Sequence, residues 1–382
     1  MDFRLTARQE EIVRQAREFA TGRLMAEGCG EKAIAFDELW RCASADGYAG
    51  LPLPKAVGGR EFQLLDCVLV FEAMAEAGAD LGFLFSLGVH QFAVAETLSS
   101  AGSDSQKDAW LGPMASGTSC GAFAISERDS GSDAFSLTTV ATKTDAGYEL
   151  TGEKVWITNA PRADVFLVVA RSEPVEGTFG LSCFILPKDT VGLEVEPGPE
   201  KAGLRTAPWG TLVLDKAMVS TDSLLGAPGS GAALFQQAMR WERCGLFALA
   251  LGTMERSFRN CLRHVHARRQ FGRALIENHV VAKSIALMKT RIEASRLLLY
   301  KAAWVLDAGR IDDAAISLAK AYVSEAALEN ALEAQKLHGA AGILHDSPAA
   351  QLVNDMLPFR ILSGPNDLHY QIAARLMQTL GT

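Results

Sequence analysis

The texture of the chain changes twice, and that alternation limits the folds open to it more than any other feature. Through the first third, apolar residues recur at helical spacing, and Thr6 and Gln9 make a capping-box pattern ahead of Ile12, Val13, Ala16, Phe19 and Ala20. Further helices are expected over 36–45, 62–77, 81–99 and 105–114, divided by Gly and Pro punctuation such as LPLPKAVGG at 51–59. From Ser119 short β-branched and apolar runs take over (SLTTVATKT, YELTGEKVWIT, VFLVVA, LSCFILP, LEVEP, TLVLDKAMV), with breaks at 145–147, 176–177 and 197–199. Helical patterns return over 232–266, 279–308, 311–337, 347–352 and 366–380, with glycines at 339 and 342. The expected fold is therefore α+β in three domains: helical over 1–118, an antiparallel β-barrel or sandwich over 119–228, and a four-helix bundle over 229–382.

A chain of 382 residues with 48% hydrophobic and 21% charged residues can bury a large core. Its formal charge of −8 argues against nucleic acid or an anionic membrane surface as the main partner. Cys29, Cys42, Cys67, Cys120, Cys183, Cys244 and Cys261 are scattered and show no CxxC spacing, so they read as reduced thiols, with no metal site and no disulfide framework. The N-terminus lacks an apolar secretory core and no apolar run is expected to approach the roughly 18 residues of a membrane span, which makes the expected compartment cytoplasmic.

At 123–133 the sequence FAISERDSGSD runs from an apolar approach into hydroxyl, carboxylate and glycine residues, so a strand opens into a polar turn where a ligand can come close. Alone, such a stretch is more often a plain turn. It does not stand alone. FAISERDSGSD, TGEKVWITNA at 151–160, KAGLRTAPWGTLVLDKAMV at 201–219, ARRQFG at 267–272 and QKLHGAAG at 335–342 resemble, in order and spacing, five motifs of the acyl-CoA dehydrogenase family. They correspond to its YCVTEPGAGSD, G-x-K-x-W-I-T-N, K-x-G-x-R, R-x-x-F-G and Q-x-x-G-G-x-G segments.

The resemblance implies FAD between the β domain and the C-terminal helices. Trp156 would lie against the flavin ring, and the hydroxyls of Ser126 and Thr158 would donate to its edge, with Phe123 and Ile125 beside them. Ser132 would face the substrate's pantetheine or the diphosphate. Arg268, with Phe271 packed beside it, would hold the diphosphate of a neighbouring subunit's cofactor, approached also by Gln335 and Gly339, which implies a homodimer or homotetramer. Asp367 falls at a position on the flavin side.

The commonest catalytic segment of the family, Y-E-G-T, is replaced by Leu362, Ser363, Gly364 and Pro365. A serine hydroxyl cannot take an α-proton near neutral pH. A second placement known in the family, an L-E-R pattern on the helix after the β domain, corresponds to Trp241, Glu242 and Arg243, so Glu242 is the expected base. Its structural alternative is a surface glutamate paired with Arg240 or Arg243. Ser363 would keep only a backbone N–H for the thioester carbonyl, with Gly364 beside the substrate and Arg243 on a basic rim. The implied reaction is α,β-dehydrogenation of an acyl thioester on coenzyme A or a carrier protein, with electron-transfer flavoprotein or oxygen as acceptor. A flavin monooxygenase acting as an N-hydroxylase and a non-catalytic binding module are the alternatives.

Overall fold

A computed structural model describes residues 3–24, 35–175 and 177–379; Cys29, Glu176 and Leu380, which enter the expectations above, lie outside them. The first helices are α1 (Ala7–Phe19), α2 (Phe36–Ala45), α3 (Leu64–Ala77), α4 (Leu81–Gly88), α5 (Glu96–Ala101) and α6 (Asp104–Ala115). The Thr6 capping box forms as expected: Gln9 N–H donates to Thr6 Oγ1 at 3.2 Å and Thr6 N–H to Gln9 Oε1 at 3.1 Å.

Between α4 and α5 the expected single helix continues through a π-helical segment, Val89–Ala95. Its extra residue per turn admits polar side chains to the core. Leu51 N–H donates to Gln91 Oε1 at 2.9 Å, Gly121 N–H donates to His90 Nδ1 at 3.1 Å, and His90 Nε2 lies 3.2 Å from the Met114 carbonyl. Contrary to the sequence expectation, Leu81–Ala101 is long and apolar enough to cross a bilayer. Nearly all of it is buried inside the fold, so its apolar character serves the protein core.

Eight strands form one sheet: β1 (Gly121–Ala124), β2 (Val140–Thr144), β3 (Gly147–Thr158), β4 (Val165–Arg171), β5 (Leu181–Pro187), β6 (Leu193–Pro197), β7 (Trp209–Val219) and β8 (Leu224–Leu225). The order is β6-β7-β3-β2-β4-β5-β8, and most neighbours are antiparallel as expected. The sheet is mixed, however, because β1 pairs with β4 in parallel and Val140 of β2 pairs in parallel with Arg171. In β4, Val165, Leu167 and Val169 join the helical core while Phe166, Val168 and Ala170 fill a second core on the other face. Burial on both faces explains why VFLVVA shows no polar alternation.

α7 (Gly231–Ala267) is a 37-residue helix whose middle, Cys244–Leu251, is buried on every side. It is followed by a short hairpin, β9 (Arg269–Gln270) and β10 (Arg273–Ala274), which carries the basic run. α8 (His279–Asp307), α9 (Asp313–His338), α10 (Pro348–Met356) and α11 (Asn366–Thr379) complete the chain; α9 packs on α7, α8 and α11. Gly252 of α7 lets α3 approach so closely that a Cβ there would overlap the Glu72 carbonyl oxygen. The six described cysteines are free thiols.

Candidate active site

The turn after β1 is held by a buried ion pair from the next motif. Lys154 on β3 is fully buried and donates to the Ile125 carbonyl at 3.1 Å and to Glu127 Oε1 at 2.8 Å. Glu127 also accepts the backbone N–H groups of Thr138 (2.6 Å) and Thr139 (2.9 Å). Burial pushes the Glu127 carboxyl up, but the bonds from Lys154 and Thr139 outweigh it and hold the group at about 2. Burial brings the Lys154 ammonium down to about 8, with Glu127 opposing. Val155 N–H donates to the Ser126 carbonyl at 2.9 Å, which fixes Ser126 beside β3.

One residue later the strand breaks register against β7, between Lys154 and Ile157, and Trp156 takes φ 60°. A bulge with a non-glycine residue at positive φ re-aims a side chain that regular alternation would have placed elsewhere. Trp156 is 52% exposed, with its ring 5.0 Å from that of Trp209. It is therefore not a core aromatic. Ser126 and Thr158 are half-buried, and neither hydroxyl finds a partner among the described residues. Asn159, buried at φ 71°, donates to the carbonyls of Ser86 (3.0 Å) and Gly121 (3.2 Å), tying the end of β3 to α4 and β1. An exposed indole shelf flanked by two free hydroxyls suits a flat, apolar ring with polar edges. Of the other expected contacts, Ser132 is exposed on the turn, Ile125 is buried in the helical core, and Phe123 packs 6.0 Å from Phe235 of α7.

Two turns beyond Phe235, Glu242 and Arg243 are both buried. The surface-pair alternative fails: Arg240 is spent on a bidentate pair with Asp313 at 2.7 and 2.8 Å, and Glu242 Oε1 accepts a hydrogen bond from Ser363 Oγ. Arg243, expected on a basic rim, is only 8% exposed and donates from Nε to the Ser363 carbonyl at 3.1 Å. Its place is inside, as a strut for the turn that carries Ser363.

That turn is unusual. Ser363 and Gly364 have φ 55° and 100° in succession. Their carbonyls face cationic or donor groups: His369 Nε2 lies 3.0 Å from Ser363 O, and Lys320 Nζ donates to Gly364 O at 2.6 Å and to Asn366 Oδ1 at 2.8 Å. With the carbonyls committed, the N–H groups of Ser363 and Gly364 have no partner among the described residues. Burial drives Glu242 above the usual carboxylate range, with the Ser363 hydroxyl pulling it back. Burial lowers Lys320 to about 7, and burial, then Arg243 and Lys320, lower His369 to about 3, so its imidazole is neutral. The arrangement can therefore hold a carbonyl oxygen at two backbone donors and present a carboxylate of high proton affinity nearby.

The remaining expected residues stand apart. Arg268 caps the C-terminal end of the same helix, 26 positions beyond Glu242, about 39 Å at a rise of about 1.5 Å per residue. Phe271 sits at the hairpin tip with φ 50°, 98% exposed. The rings of His264 and His338 stack at 4.4 Å and bring the end of α9, with Gln335 and Gly339, to that same end of α7. Asp367 is exposed in the first turn of α11. Sequence reading missed the Ser363 hydroxyl, Lys320, His369 and the Lys154–Glu127 pair. The signal for the lysines was present: each lies next to residues that pack inward, where a lysine is uncommon unless paired.

Residues 6–118, 122–217 and 229–378 match the models of the N-terminal, middle and C-terminal domains of acyl-CoA dehydrogenase. The chain is similar to the L-prolyl-[peptidyl-carrier protein] dehydrogenase of Serratia sp., 36% identical with both chains covered in full. It is 33% identical to the enzyme of that name from Pseudomonas fluorescens, over 98% of this chain and 99% of the relative. Among solved structures, the FAD complex of PigA superposes with a TM-score of 0.95 at 35% identity, covering 99% of each chain. The prolyl acyl carrier protein oxidase AnaB superposes at 0.94 with 31% identity, over 98% of this chain and 100% of that one.

Proposed function

The chain belongs to the acyl-CoA dehydrogenase family and is an FAD-dependent oxidoreductase acting on the CH–CH bond of an acyl thioester; we propose that its substrate is a prolyl thioester on a peptidyl carrier protein, with Glu242 as the base. The residues fit the flavin, because Trp156 is held outward beside Trp209 and the hydroxyls of Ser126 and Thr158 are free. When bound, the flavin supplies the acceptor for the β-hydrogen and its bonding pair.

The observation that carries the assignment is Glu242, buried and hydrogen-bonded beside a turn with two free N–H groups. Those N–H groups draw charge from the thioester carbonyl and acidify the α-carbon, and Glu242 removes the proton. An N-hydroxylase has no α-proton to remove, so a buried, anchored carboxylate has no task in it. The relatives named for a prolyl group on a carrier protein support that substrate over other acyl groups. Arg268, Phe271, Gln335 and Gly339 serve the cofactor of a second copy in a homodimer or homotetramer, since about 39 Å of helix keeps them from their own chain's base. The electrons pass on to an electron-transfer flavoprotein or to oxygen.

Anaerobic mixing of the flavin-loaded protein with prolyl-loaded carrier protein tests this. Rapid flavin bleaching is expected, at least 10³-fold slower in Glu242→Gln, on the order of what general-base removal costs. Bleaching by straight-chain acyl-CoA and none by the prolyl thioester would reject the substrate, and undiminished bleaching in Glu242→Gln would reject the base.

A further inference from the structure

Ser363 is placed for more than a backbone contact. Its left-handed conformation turns the side chain toward α7, where Oγ donates to Glu242 Oε1 across 121 positions of sequence. Among the described residues this is the only hydrogen bond that reaches the Glu242 carboxylate. The charged and titratable groups nearby are Arg243 on the same helix, Lys320 from α9 and His369 from α11, and each bonds to the backbone of the 360–366 turn. Three elements thus clamp the turn by its carbonyls, and the turn in its turn grips the carboxylate by one hydroxyl.

We propose that the Ser363 hydroxyl is a positioning residue for the base: it fixes the buried Glu242 carboxylate in one orientation by donating to Oε1. This rests on Glu242 being the base. A hydrogen bond donated to a carboxylate favours its charged form, whereas burial favours the neutral one. Glu242 experiences both, and Ser363 is the group that opposes burial most. Without the hydroxyl, the same carboxylate would hold its proton to a higher pH and swing freely about its terminal bond.

Ser363→Gly removes the hydroxyl at a φ where glycine is at ease, and it leaves the Lys320 bond to the Gly364 carbonyl in place. Ser363→Thr keeps a hydroxyl. The measurement is single-turnover flavin bleaching by prolyl-loaded carrier protein as a function of pH, with FAD content and Tm recorded for each variant. For Ser363→Gly the acid limb should move up by about one unit, the worth of a hydrogen bond to a charged group. Well down the acid limb the rate should then fall about tenfold, while the high-pH plateau falls far less. Ser363→Thr should return the limb to its wild-type position. An unmoved limb in Ser363→Gly, or a uniform loss at every pH, overturns the proposal while leaving Glu242 as base. Undiminished turnover in Glu242→Gln would overturn the base itself, and is a separate result.

Discussion

At the scale of single residues, the site depends on polar groups that sequence reading passes over because their partners are distant in the chain. Lys154 is the clearest case, with no exposed side-chain surface and bonds to Ile125 and Glu127 that fold the turn after β1 onto β3. Replacing Lys154 by Met would leave Glu127 buried without its cation, and a loss of about 3 kcal/mol in unfolding free energy is expected, the low end for a broken buried pair because four donors from Thr138 and Thr139 remain. Urea unfolding of the two proteins measures it, and a loss under 1 kcal/mol would mean that the threonines alone hold the turn. The positions of Ser126, Trp156, Thr158 and Glu242 were legible as motif letters. What those letters do was not: that Trp156 faces outward follows from a bulge, and a bulge is a register event between β3 and β7 that neither strand announces by itself.

At the scale of elements, α7 sets the architecture, because one helix carries Glu242, the proposed base, in its first half and leads into the basic hairpin at its end. Its Gly252 is where the Glu72–Glu76 stretch of α3 leaves no room for a Cβ. Gly252→Ala would ordinarily favour a helix, yet here the new methyl meets the Glu72 backbone and must push two helices apart. The expected result is a destabilisation of about 1–3 kcal/mol, seen as a lower Tm; a rise in Tm would show that α3 yields freely. The alternation of helices, strands and helices could be read from periodicity, since the two periods differ. The π-helical segment at Val89–Ala95, the parallel pairing of β1 with β4 and the β9–β10 hairpin could not. The parallel pairing depends on β4, more than forty residues on, and the π-helical segment on contacts from Leu51 and Gly121, while the two-residue strands of the hairpin are too short to show a period.

At the scale of the whole molecule, buried neutral histidines couple the fold to pH. His90 accepts Gly121 N–H on Nδ1 and faces the Met114 carbonyl with Nε2, a pattern only the neutral ring can satisfy, and burial lowers it to about 4. Between pH 6.5 and 4 the unfolded chain binds a proton at this site that the folded chain refuses, so the stability is complete above about 6.5 and declines as the pH falls. By pH 5 about 2 kcal/mol of stability has been lost through this group. The drop in stability from pH 7 to pH 5 should therefore be smaller in His90→Gln by that amount, and parallel curves for the two proteins would refute it.

The distance along α7 between Glu242 and Arg268 also has a genetic consequence. If each reaction centre takes its base from one chain and its arginine from another, a chain lacking Glu242 and a chain lacking Arg268 can repair one another when made in the same cell. Half of randomly paired dimers would contain one of each, and one of their two centres would draw both intact residues, restoring about a quarter of the parental activity from two inactive parents. Were both residues to serve the same chain, the mixture would stay as inactive as its components.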